Sequence, residues 1–197
     1  MDFLKEIFFG AKKVPAVVVI GDGRFSAAKI MRRIISGSDV KIFESDLSGK
    51  NKLNEAMLLL RNSRLPVLAA THFGEIAQDE IICKGEKSSS ARNLAGSLPK
   101  ESFLIFNFDD ESARELKNKI SGKVLSFGLG EGADFRASDI NVDAKGTNFK
   151  IINDGKTIPF WLDGLFGKEQ IYSALAAICV GKIIGLNLVE MSQSLKS

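Results

Sequence analysis

A chain of 197 residues, 45% hydrophobic and 26% charged, is long enough to bury the core of one domain and short for two. Its 27 basic and 24 acidic residues leave a net charge of +3 and are interspersed rather than blocked, which fits solubility and argues against a nucleic-acid surface. Two cysteines without metal-ligand spacing, Cys83 and Cys179, and one histidine, His72, cannot assemble a His/Cys metal centre and point to a reducing cytoplasm.

Met1–Lys13 lacks the basic start and apolar run of a signal peptide, and no stretch approaches the ~20 apolar residues of a membrane span. Phe3, Leu4, Ile7 and Phe8 share one helical face, which predicts an amphipathic helix that docks on the core, a partner or a membrane surface. Apolar runs at 14–20, 39–44, 66–71, 102–107 and 123–128 predict strands, and the segments at 25–36, 51–62, 88–97 and 110–120 predict helices between them. Such alternation predicts a mainly parallel sheet with helices on both faces. Pro66 opens the third strand, where a missing N–H is tolerated. From about 139 to 163 the pattern becomes short strands separated by Gly146 and Asn153-Asp154-Gly155, an antiparallel ribbon in which Phe160 and Trp161 are expected to pack on the sheet. An alanine-rich helix over Lys168–Gly185 and a short helix from about 187 close a single α/β domain. The charged, Ser-rich stretch Lys84–Arg92 is the one segment whose composition predicts mobility.

The first strand carries the most chemistry. Ala16-Val17-Val18-Val19-Ile20 runs into Gly21-Asp22-Gly23-Arg24-Phe25-Ser26, the outline of a phosphate-binding loop that lacks its lysine. A working loop places Lys on the β/γ-phosphates and a Ser/Thr hydroxyl on Mg²⁺, where this chain has Arg24 and Phe25. A tight turn without a ligand is the other reading of Gly21 and Gly23.

The order of parts resembles the central, ATP-binding domain of the Mur ligase superfamily. The residues that carry the resemblance are Phe106-Asn107-Phe108-Asp109-Asp110, Val124–Leu129, Ala133-Asp134, Ala137–Ile140 and Gly167–Ala177; their wording is most similar to the D-Ala-D-Ala-adding branch. The resemblance implies ATP and Mg²⁺ as cofactors and an amide-forming ligase of peptidoglycan precursor synthesis. It implies cofactor contacts at Gly21, Gly23, Arg24, Ser26, Asn107 and Asp110, a magnesium ligand at Glu44, and the carbamylated lysine at Lys84. Each has a plainer reading: Glu44 as a solvated strand-end acid, Lys84 as a surface lysine, and Asn107, Asp109 and Asp110 as helix caps. The family's metal-binding His falls on Ala77, and its helix-borne His-Asn and Asn fall on Glu169, Gln170 and Ser173. The flanking domains of the family's ligases do not fit in this length. With several charge-stabilising groups replaced, the expectation is a domain silent as a ligase on its own that serves as a binding or interaction module, with a protein partner or a second copy of itself. The alternative is a ligase component completed by a partner chain.

Overall fold

The computed structural model describes residues 13–72 and 81–196, with the backbone alone for 81–88. The amphipathic segment at 1–12 and Ala77 lie outside the described residues. Eight strands form one sheet in the order β2-β1-β3-β4-β5-β6-β7-β8. The first five, β1 (Ala16–Ile20), β2 (Lys41–Glu44), β3 (Pro66–Ala70), β4 (Phe103–Asn107) and β5 (Lys123–Gly128), are parallel. Every residue of β1 and β3 is buried, as expected of central parallel strands covered on both faces. Pro66 stands at the first position of β3, as its missing donor requires.

Side-chain alternation sorts these strands into two cores. Val17, Val19, Val67, Ala69 and Ile105 face one core with α1 (Arg24–Ile34), α5 (Lys168–Ile183) and α6 (Leu188–Leu195). Val18, Ile20, Leu68, Ala70, Leu104 and Phe106 face the other with α2 (Gly49–Arg61), α3 (Ile81–Gly96) and α4 (Glu111–Glu115). Ten residues of α5 are buried, from Ile171 and Ser173 through Gly181, so this helix is apolar nearly all round and central to its layer. Its end is closed by Leu186 N–H to Gly181 O (2.9 Å) and Gly185 N–H to Lys182 O (3.1 Å), the paired bonds of a Schellman motif. Cys179 is fully buried in α5, and burial pushes its thiol pKa up, which makes it inert.

The ribbon differs from expectation in its beginning. β6 spans Phe135–Asp143 and pairs in parallel with β5 through Phe127↔Phe135 and Gly128↔Arg136, so the antiparallel strands continue the main sheet. The cause is a clasp formed by Asp134: its Oδ2 accepts from Ser126 N–H (2.7 Å) and Ser126 O–H (2.6 Å), while its own N–H donates to Ser126 Oγ (3.0 Å). β7 (Gly146–Asn153) and β8 (Lys156–Asp163) meet at Asn153↔Lys156. Asp154 and Gly155 between them, with φ 49° and 71°, make the left-handed pair of a type I′ turn. Phe160 is buried and stacks on Phe149 at 6.0 Å between centroids. Trp161, expected to pack, points to the opposite face because successive strand residues alternate; it is 37% exposed, with Lys196 Nζ 5.0 Å from its ring centroid.

Lys84–Arg92, expected to be mobile, lies within α3. Ala91, Leu94 and Ala95 anchor the end of that helix in the second core, and the preceding Lys, Glu and Ser residues are tolerable helix formers. Among the described residues no helix is long and apolar enough to cross a membrane.

Candidate functional site

The chain leaves β1 for β2 on one side and returns to β3 on the other, so the loops after β1 and β3 diverge at the topological switch point of the sheet, where open α/β folds bind ligands. Gly21 follows β1 at φ 98°. A β-carbon there would lie 2.5 Å from Thr71 Oγ1 and 2.8 Å from His72 O, so only glycine fits so close to the end of β3. Asp22 N–H donates to His72 O (2.5 Å), and Arg24 N–H donates to Gly21 O (3.3 Å). Phosphate-binding loops of the form G-x-x-x-x-G wrap their anion with backbone N–H groups. Here Asp22 alone separates the two glycines, and two of the turn's donors are already occupied.

Arg24 opens α1, a helix without an N-cap side-chain bond or an acid in its first turn. A cation there opposes the helix dipole. Its guanidinium folds back instead: Nη1 donates to Gly21 O (2.9 Å), and the group lies 4.4 Å from the centroid of Phe25, which is 63% exposed. Ser26 lies in the first turn of α1. With Lys29, Arg33, Gln170 and the Leu162–Leu165 loop it lines a separate cavity of about 380 Å³.

At the end of β4, Asn107 is buried, and its Oδ1 accepts from Asp109 N–H (3.0 Å) while Nδ2 has no hydrogen-bond partner among the described residues. Asp110 caps α4 by accepting from Ala113 N–H (2.9 Å), and its Oδ2 pairs with His72 Nδ1 at 3.0 Å. Asp109, which the sequence does not distinguish from its neighbour, is the organiser of this edge. It accepts from Leu129 N–H (2.6 Å), Gly130 N–H (3.1 Å) and Tyr172 O–H (2.9 Å), tying the β5 loop and α5 to β4. Gly128 and Gly130 leave the space for it, since a β-carbon on either would stand 2.8 Å from an Asp109 oxygen. No spacing in the sequence links Tyr172 to Asp109, because the two meet only through the packing of α5.

Burial first, then Asp109, holds the Tyr172 phenol well above its ordinary pKa. A raised phenol pKa adds stability that is complete below the unfolded-state value and is lost as pH rises through the folded one. Tyr172 is the chain's only tyrosine, so ultraviolet titration reads it directly. The expected curve shows phenolate appearing only with alkaline unfolding; ionisation of folded protein at the ordinary phenol pH would contradict the Asp109 bond.

The structure brings Gly21, Gly23 and Arg24 together with Thr71 and His72, and links Asp110 to the group through His72. Glu44 at the end of β2 pairs with Arg32 Nη2 at 2.6 Å. Lys84 lies in α3, with its side chain outside the described residues. Among the described residues, no three His, Cys, Asp or Glu side chains are grouped to hold a metal. With Phe25 at the hydroxyl position and Glu44 held by Arg32, the described donor set does not fit Mg²⁺.

A family model described as the Mur ligase middle domain matches residues 88–181. The UDP-N-acetylmuramate–L-alanine ligase of Alkaliphilus metalliredigens is 30% identical over 106 residues, which cover 53% of this chain and 23% of that one. The chain thus spans about a quarter of the length of the first curated relatives it matches. Among solved structures, MurF of Acinetobacter baumannii superposes with a TM-score of 0.79 at 14% identity, over 93% of this chain and 45% of that one. MurF of Thermotoga maritima, solved in complex with ADP, superposes with a TM-score of 0.74 at 14% identity, over 96% and 50%. Sequence likeness thus includes the L-alanine-adding branch and structural likeness the MurF fold, both within one superfamily. The family model over residues 88–181, the L-alanine ligase relatives and the MurF superpositions together support a member of the Mur ligase superfamily, and the chain has the fold of that superfamily's middle domain.

Proposed function

We propose that this middle domain belongs to peptidoglycan precursor synthesis and acts there as a binding or interaction module, silent as a ligase by itself. The observation that carries this reading is the turn after β1. Gly21 is pressed on Thr71, Asp22 N–H is held by His72 O, and Arg24 is folded onto Gly21 O, so the turn bonds to its own protein where a phosphate-binding loop bonds to its anion. The replacement of Lys and the Mg²⁺-binding hydroxyl by Arg24 and Phe25 supports the same conclusion, because a guanidinium does not substitute for an ammonium at a tight phosphate site.

Calorimetric titration with Mg-ATP and with Mg-ADP tests the proposal. The expected result is binding no tighter than millimolar, unchanged by Arg24→Lys combined with Phe25→Thr, because the turn stays closed. Micromolar binding that Arg24→Ala abolishes would overturn it in favour of an ATP-dependent amide ligase component completed by another chain.

A further inference from the structure

His72 makes two contacts at once. Its carbonyl oxygen accepts from Asp22 N–H at 2.5 Å, across the switch point from β3 to the turn after β1. Its ring, half exposed, reaches the other way to Asp110 Oδ2 at 3.0 Å, beyond the end of β4. Asp110 is itself fixed, being buried and bonded to the first turn of α4 through Ala113 N–H. The backbone at 72 is therefore held from both sides, and its carbonyl lies against a donor that a phosphate-binding turn would direct at an anion.

We infer that His72 is a bolt: the Asp110–imidazole pair holds the His72 carbonyl on Asp22 N–H and so keeps the switch-point crevice closed to anions. This rests on the reading of the turn as closed and adds what closes it. The contact is autoinhibitory in form. Releasing the ring lets residue 72 withdraw and frees the Asp22 donor.

Two substitutions release the bolt while α4 keeps its capping oxygen in at least one of them. His72→Ala removes a half-exposed ring. Asp110→Ser keeps a side-chain oxygen to cap α4, serine being as good an N-cap as aspartate, and removes the carboxylate oxygen that holds the ring. Amide hydrogen exchange at Asp22 and calorimetry with magnesium pyrophosphate are measured on the full chain. Both variants are expected to exchange the Asp22 amide about tenfold faster or more, and to bind pyrophosphate about tenfold tighter than the parent, the parent's affinity being lowered by the fraction closed. Unchanged Asp22 exchange in the folded variants overturns the inference, and so does faster exchange without gained binding. Failure of the underlying reading looks different: the parent itself then binds Mg-ATP at micromolar concentration.

Discussion

Gly21→Ala lowers the unfolding free energy by about 3 kcal/mol, through left-handed strain at φ 98° and a β-carbon forced to 2.5 Å from Thr71 Oγ1. The second term sets the size of the effect. Thr71 cannot easily yield, since its hydroxyl donates to Ile20 O at 2.9 Å inside the β1–β3 junction, and the next obstacle, His72 O, is backbone. Gly37→Ala is the control. Gly37 has a similar φ of 86°, and a β-carbon there would meet nothing within 4 Å, so its cost reduces to strain alone, about 1 kcal/mol. Urea denaturation of both variants separates the contributions; equal costs would mean that the turn is not pressed on β3.

Asp109→Ala is the second large effect, about 2 kcal/mol by the same measurement. The carboxylate accepts three hydrogen bonds, and the value sits low for charged bonds because the group is exposed to water. The losses divide by element. Leu129 and Gly130 lose the anchor of the β5 loop, while Tyr172 loses the polar tie between α5 and β4. A double-mutant cycle with Tyr172→Phe measures that last part, and a coupling near zero would show that Tyr172 is held by packing alone.

What the sequence made legible follows from the range of the interactions concerned. The strands of the parallel sheet, Pro66 at the head of β3 and the turn at Asp154-Gly155 all rest on local rules of burial, donor loss and dihedral preference, and the structure has each of them where the pattern puts it. The beginning of β6 at Phe135 depends on Asp134 reaching back to Ser126, and no local pattern encodes that clasp. The exposure of Trp161 followed from strand alternation once the register was known, but a sequence of three consecutive large residues, Phe160-Trp161-Leu162, hides which face is inward. At the candidate site the replacements at Arg24 and Phe25 were readable as chemistry. The closure of the turn was not, because it depends on His72, whose backbone serves β1 and whose ring serves β4.

The position of α5 in the chain has a consequence for biosynthesis. This helix packs on α1, β3, β4, β5 and β6, yet it spans Lys168–Ile183 and leaves the ribosome after every strand has done so. Until it arrives, α1 can cover β1, but the face of β3, β4 and β5 that carries Val67, Ala69, Ile105 and Phe127 lacks the helix that packs on it. The core on that face is therefore completed only after the last strand has been made. A chain halted before Lys168 leaves that part of the face uncovered, and α5 and then α6, which packs on α1 and β8, are seated on strands already made.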